Sequence, residues 1–205
     1  MNTAIHLSLV GLIFAEALTL CRDATAVDRL EASGMISYGA TSSVEEDGYG
    51  FGLGGKVSLL LASRWVVTAR YDHFFGRHTQ GSDLQPTPPL YYSNDSADDV
   101  LTCEFGYRWH LSDMEIRPTV GFGGLWYSDV FIASNSHGRQ TRSASWPVGS
   151  LGVAVLYPIG PIVVGADVRG ILMLQVDCKS PDCDNEPPRQ DGFTASALVG
   201  WRWGW

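Results

Sequence analysis

The chain has 205 residues, 45% of them hydrophobic and only 18% charged, with 23 glycines, 11% aromatics and a formal charge of −8. That length allows one domain with a core, and the glycine and aromatic content leans away from helices. The acidic balance and the scatter of the 14 Lys and Arg exclude a basic phosphate-binding stripe, and nucleic acid as a partner with it.

The first segment reads as an address. "AIHLSLVGLIFAEALTL", residues 4 to 20, is apolar apart from His6 and Glu16, and "ATA" at 24 to 26 has the small-x-small pattern of a signal-peptidase site. Residues 1–26 are therefore expected to be a cleaved signal peptide, with residues 27–205 as the mature domain. An uncleaved membrane anchor is the alternative for a run of this length. A lipoprotein site ending at Cys21 fits less well, because Leu20 is bulky.

After residue 31 the dominant signal is period two, the mark of β-strands. Segments near 32 to 41 and 49 to 62 come first. In "WVVTARYDHFF", residues 65 to 75, Trp65, Val67, Ala69, Tyr71, His73 and Phe75 share a face opposite Val66, Thr68, Arg70, Asp72 and Phe74. "LTCEFGYRW", residues 101 to 109, sets Leu101, Cys103, Phe105, Tyr107 and Trp109 against Thr102, Glu104, Gly106 and Arg108. Segments 115 to 127 and 146 to 157 follow. Then "IVVGADVRGILML", residues 162 to 174, opposes its aliphatic residues to Asp167 and Arg169, and the final segment, 193 to 205, aligns Trp201, Trp203 and Trp205 on one face with Arg202 on the other.

Eight strands of about 9 to 14 residues have the length that crosses a bilayer when tilted. Their links alternate: short turns at 63 to 64, 111 to 113 and 158 to 161, and polar loops between, three of them long. Short periplasmic turns, long outer loops and an even strand number belong to an all-β, eight-stranded antiparallel up-and-down transmembrane barrel. Alternation by itself also fits a soluble barrel with its apolar face inward. The minority face weighs against that: Lys56, Arg70, Asp72, Glu104, Arg108, Arg117, Asp167, Arg169 and Arg202 alternate with glycines such as Gly50, Gly52, Gly54, Gly106, Gly121, Gly123 and Gly200, as a packed interior network would. The majority face would leave far too large an apolar patch in water. Its end aromatics Trp65, Trp109, Trp126, Tyr127, Tyr157, Trp203 and Trp205 are expected to form interfacial girdles.

The ending "LVGWRWGW" resembles the C-terminal signal of bacterial outer-membrane proteins, a Gly followed by aromatics at the third and fifth positions: Gly200, Trp203 and Trp205. Leu198 departs from the polar residue that pattern prefers. The mature chain as a whole resembles the small eight-stranded OmpA-like or OmpX-type barrels. The resemblance implies residence in the outer membrane and insertion by the outer-membrane assembly machinery.

Cysteine usage agrees with export: Cys178 and Cys183 flank "KSPD", where a local disulfide is expected, and Cys103 is left as a small strand residue. Neither that spacing nor any His pair supports a metal site, and no cofactor motif is present. Eight strands close on an interior that side chains fill, so the charged residues are expected to be structural, salt-bridged and hydrogen-bonded. A narrow ion path is the alternative, and six cations against three anions would favour anions. Some barrels of this resemblance modify outer-leaflet lipid, but no nucleophile and base stand at strand spacing around His73, His78, His110 or His137, so no catalytic residue is assigned. The acidic outer loops, with Glu45, Glu46, Asp47, Asp83, Asp95, Asp98, Asp99, Asp177, Asp182, Asp184, Glu186 and Asp191, offer divalent-cation bridging to lipopolysaccharide phosphates or a partner surface, and "LQPTPPLYY" suits a contact. The expected state is a non-enzymatic monomer among outer-membrane lipid and lipopolysaccharide.

Overall fold

The computed structural model describes residues 27–41, 49–61, 64–76, 78–83, 90–133, 139–174 and 191–204. Residues 1–26, the Cys178 and Cys183 pair and Trp205 lie outside them. Ten strands run in chain order: β1 Val27–Thr41, β2 Tyr49–Leu61, β3 Trp65–Phe74, β4 His78–Asp83, β5 Leu90–Tyr107, β6 Trp109–Leu111, β7 Met114–Ala133, β8 Arg139–Ile159, β9 Ile162–Met173 and β10 Gly192–Gly204. Each stave pairs antiparallel with its neighbour, β1 closes on β10, and β5 pairs with β7, so the sheet returns on itself. β6 continues β5 past a break at Arg108 and β4 hangs on the outer part of β5, which leaves an eight-staved up-and-down barrel.

Alternation decides which way each side chain faces. A one-residue slip would reverse every one of them, so the register is strongly specified. Along β3, Val66, Thr68, Arg70, Asp72 and Phe74 are buried inside while Trp65 and Tyr71 are exposed outside. In β10, Thr194, Ser196 and Leu198 turn inward, and Phe193, Val199, Trp201 and Trp203 turn outward. The polarity is inverted relative to a protein in water: Phe122 is 70% exposed and Leu151 65%, whereas Arg70 is 1% exposed. An apolar wall of this extent needs an apolar solvent, and a closed barrel is the sheet form that leaves no unpaired edge within a bilayer.

At one end the connections are tight. Arg64 and Ser112 take positive φ, as does Gly160, which begins the two-residue link between β8 and β9 and can hold that conformation without a Cβ penalty. Arg202 donates its amide to the Pro161 carbonyl at 2.7 Å, tying the last strand to that turn. At the other end the strands are longer than the sequence suggests. β4 and the start of β5 fall in a stretch expected to be loop, and β7 and β8 pair continuously from Glu115↔Leu156 to Ile132↔Arg139. Hence β4, β5, β7 and β8 rise together as a four-stranded tongue beyond the barrel. The sequence of these extensions lacks the apolar period that marks a stave.

Candidate functional site

The interior holds two ion networks and an apolar plug. Near the tight turns, Arg117 donates to Glu31 through both terminal nitrogens, at 3.0 and 2.9 Å, and to Glu115 at 2.9 Å. Arg202 crosses from β10 to the same two carboxylates, at 2.9 Å from Glu31 and 2.5 Å from Glu115. Arg108 donates to the Leu61 carbonyl at 3.0 Å and lies 3.6 Å from Glu115, which His110 approaches from the rim at 3.4 Å.

The second network lies farther up. Arg70 donates through Nε to Asp72 at 2.5 Å and through Nη1 to Asp167 at 2.5 Å, and Nη2 reaches Ser196 at 2.9 Å. Ser37 bridges Asp72 and Ser196. Arg169 makes a fork to both oxygens of Glu104, with Thr102 donating to that carboxylate at 2.8 Å, and Lys56 stands 3.9 Å from Asp167. Two-point forks of this kind fix the position of each partner as well as its charge. Above them Tyr49, Phe74, Val100, Leu125, Val148, Ile171 and Met173 close the barrel with an apolar layer. Asp98, buried within reach of that layer, accepts the Tyr49 amide at 3.1 Å and so holds the entry of β2, where Tyr49 itself has positive φ.

All nine charged residues singled out in the sequence are therefore inside, and three further acids join them there: Glu31, Glu115 and Asp98. Among the described residues six cations, Lys56, Arg70, Arg108, Arg117, Arg169 and Arg202, stand inside with six acids, Glu31, Asp72, Asp98, Glu104, Glu115 and Asp167. Among the described residues the cation excess expected from the sequence is therefore absent. The signal is present in the sequence: Glu31 and Glu115 continue the inward parity of their strands, at ends that the apolar period does not mark. Gly121 makes room for this packing, since a Cβ there would lie 2.6 Å from the Cys103 carbonyl oxygen and 2.7 Å from Glu104 Cγ.

The assembly-signal residues fall on the final stave. Gly200 sits against Ser33, where a Cβ would lie 2.3 Å from its hydroxyl, and Trp203 points outward beside the short-turn rim. Leu198, the departure from the polar pattern, packs inside with Met35, Ala154, Leu156 and Val163, where the interior is locally apolar. Of the expected girdle, Trp65, Trp109, Tyr157 and Trp203 are exposed, and Trp65 stacks on Phe105 at 4.7 Å. Tyr127 is a correction: its parity turns it inward, against the apolar plug. Cys103 is free and exposed on the outer wall.

One polar group stands on that wall near the tongue end. Tyr71 donates its hydroxyl to Asp99 Oδ1 at 2.5 Å, and His73 Nδ1 lies 2.8 Å from the same oxygen. Parity places His73 outward, but its pairing with Asp99 across β3 and β5 is not legible from the sequence, where residue 99 falls among loop acids.

Comparison with solved structures decides the type of barrel. The chain is similar to a major outer membrane protein from Thermus thermophilus, with a TM-score of 0.62 and 14% identity over 85% of this chain and 99% of that one. It is also similar to Ail, the attachment invasion locus protein of Yersinia pestis, with a TM-score of 0.52 and 13% identity over 87% of this chain and 99% of that one. The fold is that of a small outer-membrane β-barrel. No protein-family model matches the chain, and no curated protein does. In such a barrel the apolar wall is the face that lipid covers, and the paired interior charges avoid the large cost of burying an ion alone.

Proposed function

We propose that this chain is an integral outer-membrane barrel whose filled interior is structural and whose task lies at the surface, without catalysis. The observation that carries the surface role is the tongue of β4, β5, β7 and β8, raised beyond a barrel that offers no need for it. Among the described residues β4 is paired with β5 alone, and β8 is bonded on its β9 side from Pro147, which accepts the Leu174 amide at 2.9 Å, onward, with no such partner for its earlier residues. Open strand edges above a membrane suit main-chain pairing with an extended segment of a partner. Attachment, the role printed in the name of the Ail protein, is consistent with such a surface.

Insertion would run through the outer-membrane assembly machinery by way of the last strand, with Gly200, Trp203 and Trp205 as its label. Lipid and lipopolysaccharide would surround a monomer. The His73 and Asp99 pair is what a rim-site lipid-modifying enzyme would use, but among the described residues no hydroxyl is bonded to His73 as a nucleophile. Mass spectrometry of lipid A from cells with and without the gene separates the two readings. An unchanged profile is expected, and a change in acylation would sink the non-enzymatic one. The membrane assignment is checked in the same cells: the protein should fractionate with the outer membrane and migrate faster on gels unheated than heated, whereas recovery as a soluble periplasmic protein overturns it.

A further inference from the structure

The outer wall over β1, β2 and β3 carries a hollow of about 330 Å³. Outward Ala32, Gly34, Gly55 and Ala69 line it with Tyr71 and Leu101 toward β5, and its floor includes Ser33, Lys56 and Arg70, which are buried. The register aligns it across three staves: Gly34 pairs with Gly55, and Gly55 with Tyr71. It opens outward, since a Cβ added at Gly34 would meet nothing within 4 Å. Bulky exposed side chains elsewhere on the wall, Phe122 and Leu151 among them, make this a local dent in the surface that faces the acyl chains.

The end marked by Tyr71 is polar. Tyr71 lines the hollow, and its hydroxyl reaches Asp99, where His73 Nδ1 also lands on Oδ1. Both bonds use one carboxylate oxygen. Asp99 Oδ2 and His73 Nε2 have no partner among the described residues, although both side chains are more than a third exposed on the membrane-facing wall. An ionised carboxylate only accepts, and an imidazole that gives Nδ1–H to it presents Nε2 as a second acceptor. Toward the tongue end of β3, His73 makes an edge contact with the exposed Phe75, at 5.0 Å, and Phe75 stacks on the exposed Phe51 at 6.2 Å. With Nδ1–H given to Asp99, the pair presents acceptors and no donor, which is unfavourable in the absence of water.

We propose that this wall is a specific lipid site: one acyl chain of an outer-leaflet glycolipid lies in the hollow, and the amide N–H or hydroxyl beside its acyl attachment donates to Asp99 and His73. The proposal rests on the outer-membrane reading and deepens it. It commits to an acylated amino-sugar lipid because that class brings donors to the depth where its chains begin. The ester links of a glycerophospholipid bring only acceptors to that depth, and these would oppose Asp99.

The test uses the full chain refolded into nanodiscs of phosphatidylethanolamine and phosphatidylglycerol containing a small fraction of lipid A, followed by native mass spectrometry of the lipid retained on the released barrel. Wild type is expected to retain lipid A above its fraction in the disc. Gly34→Leu, which puts a side chain into the hollow from a position where a Cβ meets nothing within 4 Å, and Asp99→Leu, which removes the acceptor, should each lower that enrichment about tenfold, the scale of one hydrogen bond to a charged group. Ala166→Leu on the opposite wall should leave it unchanged. Equal retention by wild type and both variants, or enrichment of phospholipid alone, overturns the proposal. Heat-modifiable migration is read on every sample. A chain that fails to insert, and so shows no such shift, refutes the membrane reading, while an inserted chain without lipid A enrichment refutes only the site.

Discussion

Glu31 shows how a single carboxylate can hold a barrel together across its seam. It lies on β1, receives Arg117 from β7 and Arg202 from β10, and is 1% exposed. Removing its charge while keeping its shape leaves Arg117 and Arg202 to share Glu115 with Arg108. Glu31→Gln is therefore expected to lower stability by about 3–5 kcal/mol, the usual cost of stranding one side of a buried ion pair. Urea unfolding in detergent micelles, followed by tryptophan fluorescence, measures it, and a loss below about 1 kcal/mol would mean that water reaches the pair and screens it. The residue scale also separates glycines that are needed from those that are merely small. Gly121→Ala places a methyl against the Cys103 carbonyl and Glu104 and should cost about 1–3 kcal/mol by overpacking, whereas Gly34→Ala meets open space and should fall within about 0.5 kcal/mol of wild type in the same assay.

Among the elements, the staves are legible in the sequence and the tongue is not. A stave has one face against lipid and one against the packed interior, so Val66, Thr68, Arg70 and Asp72 alternate visibly with their outward neighbours. Residues 78 to 83, HTQGSD, and 90 to 95, LYYSND, form strands whose composition carries no such alternation. Asp98 and Asp99 sit at the junction, and in the sequence they look like loop acids. One proves to be buried and the other to crown the outer wall. The charge network is legible as a set of residues but not as a balanced one, because parity gives the face of a side chain and says nothing about where a strand begins. The tongue should be separable from the barrel: replacing residues 78 to 95 by a short turn is expected to leave heat-modifiable migration intact, since the closing pairs from Ala97↔Ser128 to Gly106↔Thr119 remain. Loss of the folded band on that gel would show that the tongue is part of the folding unit and not an addition to it.

At the scale of the whole molecule, the medium that covers the outer wall decides how the barrel is held, and a charge carried to different depths measures it. Phe122 lies at mid-height, paired with Cys103 and Gly149, and Trp109 lies beside the short turns. In a bilayer Phe122→Arg should destabilise the barrel by about 2–4 kcal/mol, while Trp109→Arg should add only about 0–1 kcal/mol beyond the loss of its ring contacts, because charge is tolerated near the interface and not at the midplane. Reversible unfolding from phospholipid vesicles in guanidinium reads both values. A barrel whose wall faced water would behave in the opposite sense, for an arginine at Phe122 would then relieve an exposed apolar patch and cost nothing. The interior gives the complementary half of the same experiment: Arg169→Phe strips Glu104 of its fork inside the barrel, and it should destabilise the protein equally in vesicles and in micelles, since no solvent outside the wall touches that pair. Depth dependence on one face and indifference to the surrounding lipid on the other follow from one inverted polarity, and a result that showed the first without the second would mean that the interior is wet.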